Sequence, residues 1–100
     1  MDEEASKRII LMVKIKGWNI RRDSRTRVEH VFTSPSGRSM GGSIYFEKKG
    51  KWISVIEFYD PGIPGYRRVS RSFEFKKSAK KWTRIQQGAI SDMFYKKRKS

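Results

Sequence analysis

Basic side chains recur at spacings that could work together. Lys76, Lys77, Lys80, Lys81 and Arg84 fall on helical spacing. Lys48, Lys49 and Lys51 bracket a glycine, and Arg67, Arg68 and Arg71 follow a Gly-Pro-rich stretch. A run of Lys96, Lys97, Arg98 and Lys99 comes last. Cations at this density are suited to neutralising phosphates. Aromatic residues are interleaved with them: Tyr45, Phe46, Trp52, Phe58, Tyr59 and Tyr66 lie in or beside strand-like segments. A sheet face carrying rings and cations is one way to stack unpaired bases. Tyr45, Tyr59 and Tyr66 are the exposed candidates, because a phenol needs a polar partner. The competing reading of each ring is core. Arg67 and Arg68 read equally as a phosphate clamp or as a solvated hairpin edge.

The whole chain carries the same signal. It has 24 Lys and Arg against 10 Asp and Glu in 100 residues, a formal net charge of +14. That charge opposes compaction, and a polyanion relieves it. Nucleic acid is the commonest such partner; an anionic membrane surface or an acidic protein comes next. More than half of the excess lies in residues 76–100. The run 96–100 reads as a flexible tail, since its like charges repel and it holds nothing apolar to bury.

Other chemistry finds little support. There is no Cys and a single His, so no zinc set can be assembled. His30 stands between Val28 and Phe32 in a strand-like run and reads as a packed or edge histidine. The acids are scattered, and no spacing suggests a magnesium site. Gly41-Gly42-Ser43 lacks the Lys-Ser/Thr ending of a phosphate loop. No base is placed to activate a serine. The chain therefore reads as a non-enzyme without cofactor or metal. Absence of Cys and the acidic start Met1-Asp2-Glu3-Glu4 suit an intracellular protein, nuclear or cytoplasmic, more than a secreted one. The apolar run Ile9 to Val13 is too short to span a bilayer.

Residues 1–95 are sized for one domain. Residues 9–16 read as a strand, with Gly17 interrupting and Trp18 to Arg22 continuing it past a bulge. Residues 27–33, 43–48 and 51–59 are further strands. Ser34-Pro-Ser-Gly37 and Lys49-Gly50 mark turns, and Asp60 to Gly65 a loop. Residues 66–75 form the last strand, with Val69, Phe73 and Phe75 on one face. A helix follows over 78–95, capped by Ser78 and weakened by Gly88. Trp82, Ile85, Gln86, Ala89, Ile90 and Met93 form its inward stripe. The expected class is α+β: an antiparallel sheet of three to five strands packed against one C-terminal helix, with short hairpin connections.

From Gly42 to Gln87 the chain resembles the arm-type DNA-binding domains of tyrosine recombinases. Ser43-Ile44-Tyr45, Gly50-Lys51-Trp52, Val55, Gly65, Arg67, Ser72-Phe73, Lys76-Lys77, Ala79 and Trp82 carry the resemblance. It implies a three-stranded sheet entering the major groove and one helix behind it. Methyl-CpG-binding domains are built similarly, and Gly17-Trp18, His30-Val31-Phe32 and Ser34 to Arg38 resemble theirs. Two departures stand out. Ile53 and Val55, which would face DNA, are apolar, and the first 40 residues have no counterpart. The chain is also similar to the single-stranded-DNA-binding core of positive cofactor four, and to PUR-repeat proteins, in Lys49-Gly50-Lys51, Ile53, the 60–65 loop, Trp82, Ile85 and Ile90-Ser91-Asp92. That resemblance implies a curved four-stranded sheet that binds single strands, often as a dimer.

The sequence thus predicts a small DNA-binding protein that grips duplex DNA with a basic sheet face and loops, a transcription regulator or a viral or mobile-element protein. Single-stranded DNA or RNA binding stays open, as does an inhibitor or scaffold for an acidic partner. The expected contacts are Lys48, Lys49, Lys51, Arg67, Arg68, Arg71, Lys76, Lys77, Lys80, Lys81, Tyr45, Tyr59, Tyr66, Lys96, Lys97 and Arg98. A homodimer is left open.

Overall fold

The computed structural model describes residues 15–60 and 65–95. Five strands form one antiparallel sheet in chain order: β1 Trp18–Asp23, β2 Arg27–Thr33, β3 Ser39–Lys48, β4 Lys51–Tyr59 and β5 Tyr66–Phe73. Among the described residues one helix, α1 Lys76–Tyr95, lies across one face. The expected α+β class holds, with the sheet at the upper limit of the predicted size. Most of the strand predicted over residues 9–16 lies outside the described residues; Ile15 and Lys16 precede β1 in a turn.

Turn chemistry sets the register. Lys49 and Gly50 both have positive φ, 51° and 79°. Two such residues make the tight hairpin turn whose twist matches the strands it joins. Lys48 therefore pairs with Lys51, and the whole β3–β4 register follows. Gly37, at φ 86°, donates its N–H to the Ser34 carbonyl at 2.9 Å and closes the β2–β3 turn. The register shift expected near Gly17 falls later, between Ile20 and Arg22.

Alternation along the strands decides which residues meet the helix. Trp18, Phe32, Ile56, Phe58 and Ile90 form one buried cluster under the C-terminal half of α1. Val28, Tyr45, Trp52 and Ala79 form a second under its start. A polar seam lies between them. Gln87 Nε2 donates to Ser43 Oγ at 2.8 Å, and Ser54 Oγ lies 2.5 Å from Thr83 Oγ1. The Thr83 hydroxyl gives its one proton to the Ala79 carbonyl at 2.7 Å, so Ser54 donates to Thr83. Trp18 Nε1 donates to the Gln87 carbonyl at 3.0 Å and ties β1 to the helix.

This seam corrects the predicted helix stripe. Thr83, Gln87 and Ser91 are buried, whereas Ile85, Ala89 and Met93 are exposed. Ile90 is buried as predicted, and Gln86 is half-buried. The inward face is turned from the predicted stripe toward Thr83, Gln87 and Ser91 because the sheet offers hydroxyls there. Trp82, expected to lead the stripe, is half-buried and packs on Phe73 with ring centroids 5.8 Å apart. The helix starts two residues before the predicted cap, and Ser78 is exposed within it. The last strand stops at Phe73, leaving Phe75 outside the sheet.

Candidate nucleic-acid interface

The β1–β2 turn, the β3–β4 turn and the start of α1 lie at the same end of the sheet. Register puts Arg27 opposite Phe46 and Lys48 opposite Lys51. Lys76 Nζ donates to the Arg25 carbonyl at 3.0 Å and stands 5.3 Å from the centre of the Trp52 ring. That contact draws the helix start over both turns. Arg25, Arg27, Lys48, Lys49, Lys51, Lys77, Lys80 and Lys81 are all exposed at this end. Neighbouring strands are about 4.8 Å apart, so the β2 and β4 tips lie about 10 Å from one another, with the helix in a second layer. The cations form a two-layered patch, not a single line. The first turn of α1 contains no acid to offset them.

Few of these charges are spent on the protein itself. Arg27 Nε donates to Glu29 at 2.7 Å, and this bond holds the Glu29 carboxyl below its ordinary range. Among the described residues no ion pair engages Arg25, Lys48, Lys49, Lys51, Lys77, Lys80 or Lys81. Lys76 differs: its ammonium is bonded to a backbone carbonyl, so it acts as a strut.

The other predicted contacts lie elsewhere. Arg67, Arg68 and Arg71 lie on β5, an edge strand whose residues 66–72 are all exposed. Arg67 pairs with Asp60 at 3.0 Å and Arg68 with Glu57 at 3.4 Å. The Arg71 guanidinium sits 5.5 Å from the Phe73 ring centre. Adjacent positions on a strand point to opposite faces, so Arg67 and Arg68 do not form one clamp. Tyr59 and Tyr66 stack on each other at 3.8 Å, at the end of the sheet away from the cations. Their hydrogen bond pushes the Tyr66 phenol above its ordinary value.

Tyr45 overturns its expectation as an exposed ring. It is 4% exposed, beside Trp52 in the second core cluster, and burial raises its phenol above the usual value. Odd positions of β3 face the helix, and this parity decided the matter. Lys96, Lys97 and Arg98 lie outside the described residues. The sequence reading missed Arg25 and Arg27; the signal was four Arg in seven residues, Arg21 to Arg27, spanning a turn.

The open face of the sheet has a different character. A depression of about 280 Å³ lies over Gly42, lined by Val31, Ile44 and Val55, with Arg21, Glu29 and Glu57 among its walls. Ile53 and Val55, apolar where the arm-type pattern presents DNA contacts, are half-buried on this face. Two carboxylates beside an apolar floor make a poor seat for phosphates.

His30 is half-buried on the helix side, and its Nδ1 has no hydrogen-bond partner. Burial lowers its basicity, Arg84 and Lys80 lower it further, and Asp23 opposes them. Among the described residues no group of His, Cys, Asp and Glu is gathered for a metal ion. None of their helices is long and apolar enough to cross a membrane. Compared with protein-family models, curated proteins and solved structures, the chain shows no match.

Proposed function

We propose that this protein binds nucleic acid through the basic end of its sheet, without catalysis, and that duplex DNA is the preferred form. The observation that carries this reading is the convergence of cations from two hairpin turns and the helix start with little internal pairing. A two-layered patch suits phosphates on both sides of a groove. A single strand would call for a row of open rings beside the cations; here Tyr45 and Trp52 are buried, and the exposed Tyr59 and Tyr66 stack on each other at the opposite end. In this reading the hairpin tips and helix start grip the DNA, while the open face and β5 contribute less than the sequence suggested. The run 96–100 adds affinity that does not depend on sequence. The resemblance to arm-type domains supports a DNA partner, and this reading differs from it in using the end of the sheet.

The test is one titration of duplex DNA, single-stranded DNA and RNA at matched salt, repeated over a salt series. With roughly six phosphates neutralised, the log–log slope on duplex DNA is about −5. A flat salt response would sink the reading. Tighter binding to single strands would move the single-strand alternative ahead. Capture of an acidic protein that survives nuclease, with no nucleic-acid affinity, would favour the inhibitor or scaffold reading.

A further inference from the structure

We infer that Phe75 is the base-contacting residue of this interface, a wedge that enters the base stack of a bound duplex. The inference rests on the proposed nucleic-acid reading. Phe75 is 67% exposed, the most exposed of the large hydrophobic residues described. It lies between the end of β5 and the start of α1, so it stands at the basic end. Lys76 and Lys77 follow it directly, and Lys51 starts the strand whose next residue, Trp52, pairs with Phe73. Its ring joins neither core cluster, and it takes part in no ring stacking or cation–π contact among the described residues. Its backbone is fixed, because the Phe75 carbonyl accepts the Ala79 N–H at 3.2 Å as part of the first helical turn.

A Phe this exposed on a helix start buries little of its ring in this fold. Standing next to Lys76 and Lys77 at the basic end, it meets whatever these cations bind. Phosphates have no affinity for a phenyl ring, but the bases between them do. Proteins that grip both backbones of a groove use such rings to part a base step and kink the duplex. Pyrimidine–purine steps open most easily, so sites with a central TA or CA step should be preferred. The patch of lysines then supplies affinity, and Phe75 supplies the deformation and with it a preference among sequences.

The experiment uses the full chain and a short duplex with a central TA step. The duplex carries a donor and acceptor dye at its ends and 2-aminopurine at the step. The parent protein should shorten the end-to-end distance and change the 2-aminopurine signal. Phe75→Ala should abolish both, reduce affinity roughly tenfold to a hundredfold and leave the salt slope unaltered. Phe75→Trp should restore bending. Circular dichroism and melting temperature should match the parent for both variants, since the ring is solvent-exposed. Unchanged bending and affinity in Phe75→Ala, with salt-dependent binding intact, would overturn the wedge and leave the basic interface standing. Absence of salt-dependent binding in the parent would overturn both. A Phe75→Ala loss seen on single strands and not on duplex would overturn the duplex wedge in favour of stacking on unpaired bases.

Discussion

The two ends of the sheet hold cations in opposite ways. At the tip end, lysines and arginines from three segments outnumber Asp23, Glu29, Glu47 and Glu74. Arg27 is ion-paired to Glu29, while Lys48, Lys49, Lys51, Lys77, Lys80 and Lys81 form no ion pair among the described residues. At the tyrosine end, Arg67 and Arg68 each have a carboxylate partner, Asp60 and Glu57. A cation that already has an anion gains less from a phosphate, because the old pair must be broken first. Pairing, not density along the chain, separates a binding surface from a solvated edge. Sequence alone ranked these groups together.

The largest effect expected from this contrast is on affinity. Replacing Lys49, Lys51, Lys77 and Lys81 together by Ala should flatten the log–log salt slope on duplex DNA by about 3 to 4. Arg67→Ala with Arg68→Ala should leave the slope unchanged. Isothermal or fluorescence titration over a salt series reads both, and equal losses at the two ends would erase the distinction.

Next in size is a stability effect at the tyrosine end, where Phe32 is fully buried in the first cluster. Phe32→Ala should cost about 3–5 kcal/mol in urea unfolding. Trp82→Ala should cost less, because that ring is half-buried. A larger loss for Trp82 would mean that the helix packs differently.

The paired lysines at the helix start sharpen the contrast within one turn. Lys76→Met should cost roughly 1 kcal/mol of stability by losing its bond to the Arg25 carbonyl. Lys77→Met should leave the unfolding midpoint alone and weaken DNA binding. The reverse assignment would show that Lys76, not Lys77, faces the ligand.

The smallest effect is that of acidity. His30 has a lowered pKa in the fold, so the unfolded chain binds the proton more readily. Its stabilisation is fully present above the ordinary value of 6.5 and is lost as pH falls below that value toward the folded one. Melting temperature should decline over that window, and His30→Gln should flatten the decline. An equal decline in both proteins would assign it to other groups.

Much of the fold was legible because turns carry local chemistry. Lys49-Gly50 and Ser34 to Gly37 closed where their residue types demanded, and the alternation of residues 51–59 became β4. Parity across strands was not legible. Nothing local to Tyr45 says that odd positions of β3 face the helix; that follows from the register with β2 and β4. The polar seam was hidden for a related reason. Thr83 and Gln87 look like surface residues until Ser54 and Ser43 are placed beneath them. Of the candidate site, Lys48, Lys49, Lys51, Lys77, Lys80 and Lys81 could be named from charge runs. Arg25 and Arg27 came into view only when the two tips were seen to share an end.

The strands follow one another in chain order, and this has a kinetic consequence. Each hairpin can close without waiting for a distant partner, so the sheet can zip from any turn with little loop entropy lost. The helix is the exception. The bonds from Trp18 to Gln87 and from Ser91 to the Lys16 carbonyl span 69 and 75 residues. Folding should therefore end with α1 settling on a sheet already assembled, and backbone amides of the helix should exchange with solvent sooner than those of β3 and β4.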